Sequence, residues 1–258
     1  MQGKRDQAWP MPEPQLPLAL IGLIFILAGM IKGVAGMGLP TLAIGLLGLA
    51  MPPAEAAALI VVPSFVTNVW QFAAGPSRRR LLRRLWPMLL AMIVVTWAAT
   101  GLITGAGAGR AASTLGAALA VYAIAGLAKV CFSVPARAER WLSPLIGAAT
   151  GIITGATGVL VIPAAPYLQA LHLEKEELVQ ALGLSFTTST LALAAGLASH
   201  DAFHLQAAGA SILCTVPALL GMVIGQRVRR RIDPTMFKRV FFIGLFVLGG
   251  DLLLRSVL

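Results

Sequence analysis

Charge is scarce in this chain. Of its 258 residues only 12% are charged, and ten are acidic. No paired-carboxylate constellation, nucleophile elbow or phosphate loop occurs, so catalysis has no support in the sequence. Cysteine is scarcer still. Cys131 and Cys214 stand far apart within or at the end of apolar segments, form no CxxC and have no metal-ligand spacing. They read as small buried residues. The three histidines, His172, His200 and His204, fall in loops without metal-ligand context and read as solvated. No catalytic residue, metal or cofactor is expected.

Apolar residues are abundant. They make up 58% of the chain, and the mean hydropathy is +0.85. Backbone groups in lipid must pair within their own segment or around a closed barrel, and long uninterrupted apolar runs exclude the barrel. The chain is therefore expected to be all-α and to cross a membrane several times. Its net charge of +10 would suggest nucleic acid in a soluble protein. Here the basic residues lie between apolar segments, so the partner is the lipid bilayer and not nucleic acid. Residues 1–17, with four prolines, read as a flexible lead-in retained in the mature protein.

Apolar segments fall at about 18–50, 54–74, 85–107, 111–132, 142–172, 178–198, 204–226 and 235–258. The first and fifth are too long for one straight span and carry glycine clusters near their centres. The first reads Gly29-Met-Ile-Lys-Gly-Val-Ala-Gly-Met-Gly-Leu-Pro40, and the fifth reads Gly151-Ile-Ile-Thr-Gly-Ala-Thr-Gly158 with Pro163 beyond it. A shift of about 121 residues lays Gly29, Gly33 and Gly36 on Gly151, Gly155 and Gly158. It also lays Ser64-Phe65 on Ser185-Phe186, and Gly101 and Gly105 near Gly221 and Gly225. An internal duplication follows, with repeats at 18–132 and 133–258.

Arginines set the topology. Arg78, Arg79, Arg80, Arg83 and Arg84 fill one loop, and Arg227, Arg229, Arg230, Arg231, Lys238 and Arg239 fill another. Both loops should be cytoplasmic, yet five apolar segments separate them. The conflict disappears if the fifth segment enters and leaves on one face, as half-helices 142–154 and 159–172. With the first segment doing the same, each half is a re-entrant hairpin or broken helix plus three transmembrane helices. An odd number of crossings makes the two repeats inverted, an arrangement common in secondary transporters. This leaves Lys4, Arg5, Arg110 and Arg255 outside, Lys32 within the membrane and the other basic residues inside. Eight straight spans divide the charges far more evenly. A version in which only the fifth segment is re-entrant separates them slightly better, but the glycine signature shared with the first segment argues against it.

Lys32 is the one Lys or Arg set deep in an apolar segment, where a bare ammonium costs about 2.5–3.5 kcal/mol. It marks a site for a small anion, against the alternative of snorkelling to an interface or pairing with a carbonyl or carboxylate. Around it stand Gly33, Gly36 and Gly38, where backbone can approach a ligand, with Thr154, Gly155, Thr157 and Gly158 at the second apex. Each second half-helix would present free N–H groups there. Ser64, Thr67, Asn68 and Gln71 recur at helical spacing and share one face; Ser185, Thr188 and Ser189 occupy the related segment. The alternatives are helix packing for the glycines and interhelical or back-bonding for the hydroxyls. Asp251 reads as an ion-pair partner, a proton site or an interfacial residue, and Glu174, Glu176 and Glu177 as an exposed helix start.

With those motifs in place, the chain resembles the TauE/SafE family of sulfite and organosulfonate transporters over nearly its whole length. Each half opens with G-x-x-x-G-x-x-G and a proline a few residues on: Gly29, Gly33, Gly36 and Pro40, then Gly151, Gly155, Gly158 and Pro163. Where family members often carry further glycines, this chain has Met37-Gly38-Leu39 and Val159-Leu160. The resemblance implies a multi-pass protein of the cell (inner) membrane that transports sulfite or sulfonates such as sulfoacetate, taurine or isethionate, driven by an ion gradient. A coupling ion (H+ or Na+) and a homodimer are partners such a carrier admits. An anion channel, or a membrane-embedded assembly subunit without transport activity, is the rival reading.

Overall fold

The computed structural model describes residues 17–105, 108–128, 133–229, 231 and 233–255. Eleven helices account for its regular structure, with no strand among the described residues. They are α1 (Leu18–Ala35), α2 (Leu39–Leu47), α3 (Pro53–Ala73), α4 (Arg78–Ala99), α5 (Gly101–Thr104) and α6 (Ala108–Leu127). Then come α7 (Ala136–Thr157), α8 (Ala164–Ala170), α9 (Lys175–Ser199), α10 (Leu205–Val228) and α11 (Pro234–Arg255). Among the described residues, six stretches are long and apolar enough to cross a membrane: Leu18–Ala35, Pro53–Ala73, Arg78–Thr104, Arg110–Leu127, Lys175–Ser199 and Gln206–Val228. Large apolar side chains such as Leu90, Val121, Leu213 and Val247 point outward, as lipid-facing helices require. The protein is a multi-pass helical membrane protein.

The long first and fifth apolar segments are each interrupted, but not in equal halves. In the first, 18 residues of α1 precede nine of α2. In the fifth, 22 residues of α7 precede seven of α8, in place of the expected 142–154 and 159–172. The reason lies in where glycine acts as a breaker. Gly29 and Gly33 remain helical, and so do Gly151 and Gly155. α1 and α7 end instead at Gly36 (φ 79°) and Gly158 (φ 72°), left-handed positions that cap them. Their N–H groups bond to the carbonyls of Lys32 and Thr154, at 2.8 and 2.7 Å. Beyond Gly158 the chain does not resume a helix until Ala164, because Pro163 holds the residue before it out of helical geometry.

The helical glycines serve packing. The most extensive helix pairs are α1 with α10 and α7 with α4, so the opening helix of each half lies against the other half. A Cβ on Gly29 or Gly33 would overlap the carbonyl oxygens of Ala218 and Met222, and one on Gly221 or Gly225 those of Ile26 and Met30. Across the second pair, a Cβ on Gly151 would come within 2.9 Å of the Thr96 nitrogen. Backbones meet backbones here, as small residues allow in membranes. Further pairs are α6 with α11, α3 with α9, α3 with α10 and α4 with α9. Within α3, Pro63 cannot donate to the Leu59 carbonyl. Ser211 of α10 supplies the missing bond at 2.7 Å, and its Oγ accepts from the Val62 N–H at 3.0 Å.

Several charged residues sit differently from expectation. Arg78–Arg84 form the opening turns of α4 and not a loop; likewise Arg227 closes α10, and Lys238 and Arg239 lie within α11. Long side chains let a helix start in water and continue into lipid without an intervening loop. Glu177 is not an exposed helix start. It is buried and accepts from Ser77 Oγ (2.8 Å) and Arg80 Nη1 (2.9 Å). Asp251 pairs with Arg255 one turn on, at 2.8 Å. Cys214 is buried, whereas Cys131 and the lead-in lie outside the described residues.

Gly29→Val should force α1 from α10 and lower stability by about 1–3 kcal/mol, as overpacking does. Gly22→Ala, where a Cβ meets nothing within 4 Å, should leave it unaltered. Thermal melting of both variants in detergent checks this contrast.

Candidate functional site

The first break gathers most of the residues singled out in the sequence. Lys32 sits in the last turn of α1 and is only 3% exposed. A cation there meets the negative end of the helix dipole. Its ammonium donates to Oδ1 of Asn68 on α3, itself fully buried. One turn further along α3, Gln71 Nε2 donates to the carbonyl of Gly36 at 2.9 Å. Two side chains of α3 thus hold the end of α1, and both belong to the predicted polar face. Gly36 is half-buried, with no atom within 4 Å of where its Cβ would stand. Gly38 (φ 105°) caps the start of α2 beside Phe241 and Ile31.

Four of the six unpartnered buried side-chain atoms among the described residues lie on α2 and α3. Thr41 Oγ1, Ser64 Oγ, Asn68 Nδ2 and Gln71 Oε1 have no hydrogen-bond partner; Thr96 Oγ1 and Ser185 Oγ share that state. A buried polar atom left unbonded costs about 1–3 kcal/mol, and such atoms in a native fold mark a place for a ligand or water. Thr67, by contrast, is consumed locally. Its hydroxyl donates to the carbonyls of Pro63 (2.7 Å) and Ser64 (3.2 Å).

The second break is dry by comparison. Thr154 donates to the Val159 carbonyl at 3.1 Å. Thr157 donates to the Ile153 carbonyl at 2.6 Å and accepts from the Val159 N–H at 3.2 Å. Thr188 back-bonds to Leu184 (3.0 Å), and Ser189 donates to Met92 Sδ at 2.7 Å. Val159, Leu160 and Val161 are buried, and no helix N-terminus follows Gly158 directly. The glycines divide similarly: Gly33 and Gly155 face neighbouring helices, and Gly158 lies against Ile44 and Ala57 of the first half. Of the second-half candidates, only Ser185 keeps a free buried hydroxyl.

Sequence reasoning missed Thr41 and Thr96. Each is one threonine in an apolar run, a signal too weak to stand out before neighbours are known. It also missed a polar cluster at the Arg78–Arg84 end of α4. Arg84 grips Glu139 of α7 with two bonds of 2.6 and 2.8 Å. Ser143 and Tyr167 bond beside it at 2.6 Å. A shallow hollow of about 240 Å³ there is lined by Arg84, Pro87, Glu139, Arg140 and Ser143. Gln180 of α9 ties down the turn before α4 through Ser77 N and the Phe72 and Gly75 carbonyls, at 2.8–3.0 Å. Among the described residues, no three His, Cys, Asp or Glu side chains come together to hold a metal.

A multi-pass helical protein with a buried lysine beside a broken helix and free donors around it has the makings of a membrane protein that handles anions. The chain belongs to the sulfite exporter TauE/SafE family, whose model matches residues 21–252. That family is one of transporters, and membership points to transport of sulfur-containing anions. Comparison with curated proteins and with solved structures returns no match.

The two breaks should differ in tolerance. Gly36→Ala should lose about 1–2 kcal/mol from its left-handed backbone alone. Gly158→Ala should lose more, since its methyl would also overlap Ile44. Denaturant or thermal unfolding of the two variants side by side tests that order.

Proposed function

We propose that this chain is a secondary carrier of small sulfur-containing anions, sulfite or organosulfonates, working by alternating access in the cell (inner) membrane. The observation that carries the reading is Lys32. It is a buried amine bonded to a neutral amide near a helix break, and the nitrogen of that amide, Asn68 Nδ2, is buried and unpartnered. A negatively charged solute supplies the charge this group lacks. The substrate would bind near Lys32, with Asn68 Nδ2, Ser64, Thr41 and the start of α2 as donors and Ser185 facing from the second half. Helix N-termini favour anions through free N–H groups and the dipole.

Two repeats of opposite orientation are part of this reading, with each interrupted segment entering and leaving on one face. The matched pairing of α1 with α10 and α7 with α4 supports it, as do left-handed glycines at related positions in both halves. Rocking of one part of the protein against the other would open the site alternately to either side. A coupling ion, H+ or Na+, and a homodimer fit such a carrier.

Purified protein in liposomes should give saturable, gradient-coupled sulfite or sulfonate flux; single-channel conductance would favour a channel, and no flux an assembly subunit. Lys32→Ala should weaken binding of a small sulfonate at least about tenfold, equal to 1.4 kcal/mol, with expression retained. Unchanged affinity by calorimetry removes Lys32 from the site. A reporter fused ahead of Leu18 should read as extracytoplasmic. A cytoplasmic signal selects the arrangement in which only the second interrupted segment is re-entrant.

A further inference from the structure

Two amides beside the first break have orientations dictated by their partners. The Lys32 ammonium has donors and no acceptor, so the Asn68 atom that meets it is the carbonyl oxygen. Asn68 Nδ2 therefore points elsewhere, buried and unpartnered. At Gln71 the partner is the Gly36 carbonyl, which only accepts, so the atom that meets it is Nε2. Gln71 Oε1 is thus the free end, also buried and unpartnered. Flipping either amide would set donor against donor or acceptor against acceptor.

Asn68 and Gln71 lie three residues apart and share a face of α3. That face offers one fixed donor and one fixed acceptor, with the Ser64 hydroxyl a turn earlier and open room beside Gly36. A bare anion satisfies the donor and leaves the acceptor unmet. A ligand that also carries O–H or N–H satisfies both. The second half has no equivalent pair: the repeat offset puts Ser189, already bonded to Met92, and Ala192 at these places.

We propose that the site selects an oxyanion bearing its own hydrogen-bond donor, whose oxygens accept from Lys32 and Asn68 Nδ2 while its O–H or N–H is received by Gln71 Oε1. This rests on the carrier reading above and adds the class of anion that the carrier prefers.

The test compares ethanesulfonate, 2-hydroxyethanesulfonate and 2-methoxyethanesulfonate by calorimetry on the full chain in detergent. The hydroxylated compound should bind about tenfold or more tighter than ethanesulfonate, and methylation of its oxygen should erase the gain. In Gln71→Met the ratio of the first two affinities should fall to about one. Should that variant fail to fold, the methyl ether on unaltered protein makes the same distinction. Equal binding of ethanesulfonate and the hydroxylated compound to the unaltered protein overturns this inference and leaves the carrier standing. Failure of all three compounds and of sulfite to bind overturns the carrier reading, and this inference with it.

Discussion

A charged amine buried among apolar helices needs a partner, and the bond from Lys32 to Asn68 is how this protein meets that need. Much of the first half follows from it. It joins the last turn of α1 to α3, while Gln71 fastens the Gly36 carbonyl on the same face. The end of α1 is thereby set by tertiary bonds as well as by a left-handed glycine. The partner is neutral, so it brings no opposite charge to the amine. It is the charge of this amine that makes the region an anion site on the proposed reading.

Packing and chemistry follow different symmetries. The helix pairs come in matched sets, and glycines let backbones touch across both α1–α10 and α7–α4. The polar atoms do not match. At the position related to Lys32 stands Thr154, which is bonded to its own chain end, and at the position related to Asn68 stands Ser189, bonded to Met92. Paired helix contacts run across both halves, whereas five of the six unpartnered buried side-chain atoms among the described residues lie in the first. Membership of a sulfite exporter family says what class of solute such a scaffold handles. The fixed amides of Asn68 and Gln71 bear on which member of that class this chain prefers.

The end of α4 that carries the arginines has a separate character. Glu139 and Glu177 come from α7 and α9, and both are met by arginines of one helix, α4. These ion pairs tie α7 and α9 to the start of α4.

Composition and periodicity determined a good deal: an all-helical chain with several spans, two interrupted segments, and the polar face of Ser64, Asn68 and Gln71. Those are properties of local sequence, because apolar length and helical spacing act within a few turns. Only tertiary structure decided which glycines break and which pack, since a helical glycine and a capping glycine are the same letter until a neighbouring backbone lies against one of them. It alone decided that Thr67, Thr154, Thr157 and Ser189 spend their hydroxyls on nearby atoms while Ser64, Thr41 and Thr96 keep theirs. It also decided that Glu177 is buried, because its arginine partner lies 97 residues away in the chain. Hydrogen-bond satisfaction is a property of three-dimensional neighbours, and no window of sequence contains them.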